Sequence, residues 1–207
     1  TDKDKLAKKC YSMMKDMYKK EYSELLDIFY GIHVSCVKGT QDNTLSCNPE
    51  PFLMLDLPIP NVKNTTLVNC FDEYTKKEIL DEDNQYINDE GEKVVVKQME
   101  FWKFPDVLIV TLKRFTNSMQ KNQCLVDFPL DNLDLSKYVI GYDPKSFNYD
   151  LYGICNHSGG VMGGHYYAYV KNANNKWYEF NDARVTEVSE DKLKTPSAYC
   201  FFYRKKK

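Results

Sequence analysis

Between residues 6 and 17 the apolar side chains fall at Leu6, Cys10, Met13, Met14 and Met17, with charged residues filling most of the gaps. A spacing of three and four gathers them on one face of an amphipathic helix. A second helical stretch, Tyr22 to Phe29, runs up to Gly31, a residue type that commonly closes helices. From Ile32 the pattern shortens. HVSCV and then FLMLDLPIP read as short strands, the second closed by prolines. Asn64, Thr65 and Thr66 are placed to cap a short helix over LVNCFDEY. Residues 81–93 are polar and acidic with one glycine, and read as an exposed turn.

Beyond that turn the strands come quickly. VVVKQMEFWKF alternates its faces, and VLIVTLKRF has the continuous apolar run of a strand covered on both sides. TNSMQKNQ reads as a polar loop and CLVDFPL as another strand. YDLYGICNHS leads into the glycine-rich SGGVMGG, and HYYAYVKN, NKWYEFND and AYCFFYRK follow at hairpin spacing. Helices first and strands after predict an α+β fold whose second half is an antiparallel sheet with one buried face.

Composition narrows the class. With 207 residues, 43% hydrophobic and 14% aromatic, the chain has enough apolar surface for a core without metals or disulfides. The opening TDKDKLAKKC is charged and has no apolar stretch, so no signal peptide is expected, and no apolar run reaches a membrane-spanning length. Net charge is −2, and the lysines cluster at the two ends, seven in the first twenty residues and three closing the chain. They read as solvated surface, which argues against a nucleic-acid or membrane partner. The seven cysteines are odd in number, scattered and without a C-x-x-C pair, which predicts reduced, mostly buried thiols and an intracellular protein.

The chemistry concentrates in NHSGGVMGGHYYAYV and the WYEFNDARV that follows. Glycines 159, 160, 163 and 164 make a loop that tolerates unusual backbone angles and lets another chain lie close. That loop delivers His165 to the start of an aromatic-rich strand, and a hairpin return brings Asn181 and Asp182 back beside it. A histidine acting as a base on a thiol or hydroxyl needs an acceptor on its other ring nitrogen, and Asn or Asp supplies one.

These residues, together with several flanking stretches, resemble the ubiquitin-specific proteases, papain-like cysteine hydrolases that cut after the C-terminal glycine of ubiquitin. GGHYYAYV with WYEFND is similar to the family's histidine box, and EPFLMLDLPIP, FWKFPDVLIVTLKRF, VDFPLDNLDLSKY and AYCFFYRK are similar to its other ordered motifs. The resemblance runs from about Tyr22 to Arg204. It implies an α+β papain-like fold of fingers and palm: a helical lead-in over 1–30, fingers over 31–104 and palm over 105–207. It casts His165 as general base, Asn181 as the residue orienting it and Asp182 as an assistant. His157, Gly163, Gly164 and Tyr166 would contact the ubiquitin tail, and residues 116–123 would form a second loop over it. Ubiquitin and ubiquitinated proteins are the implied partners, with no cofactor.

Two departures from the family pattern stand out. Where many members carry two zinc-binding C-x-x-C pairs, this chain has Gly39 and Asp42, then Ile87 and Glu90, so no structural zinc is expected. The cysteine box is also missing: Cys10 precedes a tyrosine, as the family's nucleophile does, but AKKCYSMM lacks the turn that opens the catalytic helix. The expectation is therefore part of a deubiquitinase, inactive alone, its nucleophile carried by a thumb segment of the parent chain. The alternative is a catalytically inactive ubiquitin-binding or scaffold pseudo-enzyme.

Overall fold

A computed structural model describes residues 1–41 and 43–207. The chain opens with α1 (Asp2–Glu21), α2 (Glu24–Phe29), β1 (Gly31–Gly39), β2 (Thr44–Phe52) and β3 (Met54–Leu57). Then come β4 (Asn64–Thr66), α3 (Leu67–Tyr74), β5 (Glu78–Ile79), β6 (Tyr86–Ile87), β7 (Lys93–Lys103) and β8 (Val107–Leu112). After β9 (Leu125–Asp127) and β10 (Leu133–Asp134) the long strands β11 (Asn148–Gly160) and β12 (Gly163–Lys171) follow. The chain closes with β13 (Trp177–Asn181), β14 (Arg184–Val188) and β15 (Ala198–Lys205). This is the expected α+β class, and it divides into two compact units.

The first unit comprises Thr1–Leu53, Thr75–Pro105 and Leu135–Phe147. Thr1 and Asp4 form a capping box that satisfies donors at the start of α1. The predicted apolar stripe is real: Ala7, Cys10 and Met14 are buried against Ile32, Val34, Cys36 and Trp102, with Leu6, Met13 and Met17 flanking them. The sheet beneath runs β2-β1-β7-β5, with β6 also on β7. Within it β2 was hidden by Pro49 and Pro51, which an outermost strand tolerates because one side of its ladder is open.

Two expectations need correction here. Gly31 does not close α2; it opens β1, where a β-carbon would lie 2.3 Å from the Phe52 ring and 2.9 Å from the Lys103 carbonyl oxygen. The glycine therefore serves close packing rather than a left-handed cap. Nor are all seven cysteines reduced. Cys36 and Cys47 are direct cross-strand partners on β1 and β2, their Cα atoms 4.2 Å apart, and they form a disulfide. They stand eleven positions apart in sequence, a spacing that showed no pairing until the strand register brought them face to face. Of the positions expected to replace the zinc ligands, Gly39 ends β1, Ile87 lies in β6 and Glu90 in the turn after it, while Asp42 lies outside the described residues.

The second unit comprises Met54–Tyr74, Asp106–Asp134 and Asn148–Lys207. Its main sheet runs β14-β13-β12-β11-β15-β8-β3, with β10 paired to β11. The predicted antiparallel order holds from β14 to β8, while β3 joins parallel to β8 and β4 pairs parallel with β9. Leu55, Leu57, Leu108, Val110, Ile154 and Phe201 are buried, and the Phe128 ring lies 4.7 Å from that of Phe201. Val107 and Ile109 remain half-buried, so β8 has one sealed face and one partly open face rather than two covered ones. The predicted cap on α3 is present, the Asn69 amide donating to the Thr66 hydroxyl at 3.1 Å.

Arg114 is wholly buried just past β8. Its Nε donates to the Ala198 carbonyl at 2.8 Å, and one terminal nitrogen donates to the carbonyls of Asn122 (3.0 Å) and Cys124 (2.9 Å). The guanidinium thus ties the start of β15 to the end of the 116–123 segment. Among the described residues, no helix is long and apolar enough to cross a membrane.

The glycine-rich segment expected as a loop is mostly a hairpin. β11 and β12 pair through His157–Tyr166, Ser158–His165, Gly159–Gly164 and Gly160–Gly163, leaving only Val161 and Met162 at the tip. Gly159 holds a φ of +107°, which only glycine adopts easily. At Gly164 a β-carbon would meet His157 Nε2 at 2.2 Å and the Ser158 carbonyl at 2.4 Å, whereas at Gly163 it would meet nothing within 4 Å.

Two measurements follow from this architecture. Gly164→Ala is expected to cost about 1–3 kcal/mol in urea unfolding because backbone must move, while Gly163→Ala leaves stability nearly unchanged. Equal effects of the two would show that the close approach is absent. Unreduced, unfolded protein is expected to expose five alkylatable thiols and to yield one linked peptide pair through Cys36 and Cys47. Seven reactive thiols would restore the fully reduced reading.

Candidate active site

Side chains alternate along a strand, so the β11–β12 register decides what each residue faces. His165 and Ser158 share one face, and His157 and Tyr166 share the other. The last β12–β13 pair is Ala168 opposite Phe180, which puts Asn181 one step further, on the face of Tyr167 and His165. His165 and Asn181 are thereby diagonal neighbours, within reach of a side-chain bond. His165 Nε2 and Asn181 Oδ1 lie 2.6 Å apart. An amide oxygen only accepts, so Nε2 carries the proton and Nδ1 keeps its lone pair.

The His165 side chain is 47% exposed, and Asp182 Oδ2 stands 3.9 Å from Nε2, near enough for electrostatic support and too far for a hydrogen bond. Asp182 adopts a φ of +51° in the turn joining Asn181 to its β14 partner Arg184, a conformation that Asp tolerates better than most residues. The far end of the Asn181 amide, Nδ2, donates to Glu179 Oε1 at 3.4 Å.

On the opposite face, His157 is buried, not part of a solvated loop. Its ring centroid lies 4.6 Å from that of Tyr166, 5.6 Å from Phe115 and 6.1 Å from Tyr199. Burial, with help from the Lys121 charge, holds its imidazole below the ordinary histidine range, so it is neutral at pH 7. Lys121 reaches the His157 carbonyl from the 116–123 segment, which is itself folded back by a bond from the Thr116 amide to the Gln120 carbonyl. Phe115, His157, Gly160, Val161, Gly163, Gly164 and Tyr166 line a hollow of about 470 Å³.

The predicted residues thus fall into two sets. His165, Asn181 and Asp182 come together on one face, and His157, Gly163, Gly164 and Tyr166 line the hollow on the other. Phe115 and Glu179 were not singled out. Glu179 was legible from alternation alone, since positions two apart on β13 share a face.

Burial raises the thiols of four unpaired cysteines. Cys10 is fully buried within α1, and burial pushes its thiol up to about 11. Burial likewise raises Cys70 and Cys200 to about 12, and raises Cys155. A catalytic thiol needs the reverse shift.

Known proteins resemble the chain over most of its length. A family profile described as ubiquitin carboxyl-terminal hydrolase matches residues 4–203. Ubiquitin carboxyl-terminal hydrolase 12 of Saccharomyces cerevisiae is 44% identical over 148 residues, covering 68% of this chain and 12% of the yeast protein. Ubiquitin carboxyl-terminal hydrolase 2 of Gallus gallus is 34% identical over 206 residues, covering 94% of this chain and 57% of the chicken protein. Among solved structures, the SAGA Ubp8/Sgf11/Sus1/Sgf73 DUB module bound to ubiquitin aldehyde superimposes with a TM-score of 0.76 at 29% identity. That match covers 91% of this chain and 44% of the solved one, so the chain spans less than two thirds of each of these proteins. With nearly its whole length matched by the profile, and with the papain-like deubiquitinase fold of its structural neighbours, the chain belongs to the ubiquitin carboxyl-terminal hydrolases of the ubiquitin-specific protease type.

Proposed function

We propose that this chain is the histidine-bearing part of a thiol-dependent deubiquitinase, which hydrolyses isopeptide or peptide bonds at the C-terminal glycine of ubiquitin. The observation that carries the reading is the 2.6 Å contact between His165 Nε2 and Asn181 Oδ1, which leaves Nδ1 free as a base. The nucleophilic cysteine belongs to a thumb segment of the parent polypeptide, since every thiol with a resolved shift in this chain is raised.

The chemistry then follows from the ring's two nitrogens. Nδ1 takes the proton of the incoming thiol, and the thiolate attacks the carbonyl carbon of ubiquitin's last glycine. The resulting imidazolium is held by the Asn181 carbonyl oxygen, with the Asp182 carboxylate nearby. As the tetrahedral intermediate collapses, Nδ1–H protonates the departing amine and a thioester remains. Water, deprotonated by the same nitrogen, cleaves the thioester and restores the thiol.

The hollow beside Tyr166 opens on the face opposite His165, so it is proposed to seat residues of the ubiquitin tail before its last glycine, whose carbonyl lies on the His165 face. Gly160 and Gly163 have open space where side chains would stand, so an extended substrate backbone can approach them. His157 and Tyr166 supply flat walls, and Gly164 contributes by letting the His157 ring pack against it. In this reading the protein works within the cytoplasm or nucleus on ubiquitinated proteins, takes no cofactor and contacts neither nucleic acid nor membrane.

Fluorogenic ubiquitin hydrolysis tests the assignment. The parent polypeptide is expected to turn over, and the 207-residue chain alone to be inactive. In the parent, His165→Ala is expected to lower kcat/KM by roughly 100-fold or more, and Asn181→Ala by about 10- to 100-fold. Turnover by the isolated chain would overturn the placement of the nucleophile. A parent that binds ubiquitin without turnover would identify a scaffold instead.

A further inference from the structure

The Asn181 amide has two ends of nearly the same shape and opposite hydrogen-bonding character. In the observed orientation Oδ1 faces His165 and Nδ2 faces Glu179. Turned by 180°, Nδ2 would donate to His165 Nε2, and the ring proton would have to sit on Nδ1. A histidine in that tautomer has no lone pair on the side where a thiol must be deprotonated. Nothing in the His165–Asn181 pair by itself forbids the turn, because both orientations make one good hydrogen bond.

We infer that Glu179 is the positioning residue that forbids it. Its carboxylate accepts the Nδ2 proton at 3.4 Å, whereas the turned amide would set Oδ1 against that same carboxylate, two acceptors face to face. The geometry suits the task. Glu179 and Asn181 are two apart on β13 and share a face, and Glu179 is half-buried opposite Tyr169, itself buried. Asp182 cannot substitute, since it is exposed and 3.9 Å from Nε2. The contact is long, so its effect is on the choice between two amide orientations more than on overall stability. Glu179 touches neither the imidazole nor the hollow beside Tyr166; it acts through Asn181.

The inference rests on the proposed roles of His165 and Asn181, and the test separates the two. In the parent polypeptide labelled with 15N-histidine, the His165 ring is assigned by comparison with His165→Gln, and its nitrogen shifts report the tautomer. Glu179→Ala is expected to reduce the Nε2–H population and to lower kcat by about three- to tenfold with little change in KM. Glu179→Gln keeps the bulk, but its amide can accept from or donate to Asn181 and so suits either orientation, and it is expected to recover only part of both losses. If Asn181→Ala changes the ring signals while Glu179→Ala leaves signals and kcat untouched, the role of Glu179 is overturned and the site stands. If Asn181→Ala also leaves the ring unchanged, the site reading itself fails. Full recovery by Glu179→Gln would likewise overturn the inference, since bulk rather than an acceptor-only group would then be what matters.

Discussion

The contact between His165 and Asn181 exists in only one register of β12 against β13. Strand side chains alternate with a period of two, so a slip of one residue would send His165 to the face occupied by His157 and Tyr166. Several features prevent the slip. Trp177, buried opposite Lys171, anchors the far end of the β12–β13 pair, and the eight-residue β11–β12 ladder anchors the near end. The glycines matter here for steric reasons: the His157 ring occupies the space a β-carbon would take on Gly164, which locks the two strands where that ring fits. The pleat of a single strand then keeps the candidate base on one side and the candidate binding surface on the other.

The buried Arg114 shows how the region around the hollow is held at its edges. A charged group taken out of water demands compensation; three carbonyl oxygens provide it for Nε and one terminal nitrogen, while Nη2 is buried without a hydrogen-bond partner. Burial lowers its pKa from the usual value, yet guanidinium remains protonated under any ordinary condition. A lysine would offer a single point charge where the planar fork spans two stretches of chain. Arg114 thereby fixes the root of the 116–123 segment, and Lys121 from that segment reaches the carbonyl of His157. The two segments flanking the hollow are joined through the Lys121 side chain and a backbone carbonyl.

Much of this was legible before any coordinates. The three-and-four spacing from Leu6 to Met17 gave the buried face of α1, and the aromatic alternation around His165 gave β12 and β13, because both signals come from a single chain segment facing a single core. What escaped depended on partners distant in sequence. β2 carries two prolines and reads as a loop until β1 is laid beside it, and β14, RVTEV, sets its valines three apart and so lacks strand alternation. The Cys36–Cys47 bond is invisible to spacing rules because opposition across two strands creates it. The glycines read as a loop, since composition records freedom of the backbone and not the neighbours that remove it. Gly31 misled for the same reason: a helix stop and a tight packing position call for the same residue.

The prolines of β2 have one more effect. Because proline cannot donate, the ladder to β1 must run through Asn48, Glu50 and Phe52, and Pro49 and Pro51 turn toward the unpaired side. The outer rim therefore lacks two of the amide protons that an incoming extended peptide would need to zip alongside. If the chain handles ubiquitin tails as proposed, it meets such segments often. By this rim it is made a poor template for fibrils, and extended chains are left to find their footing elsewhere on the molecule.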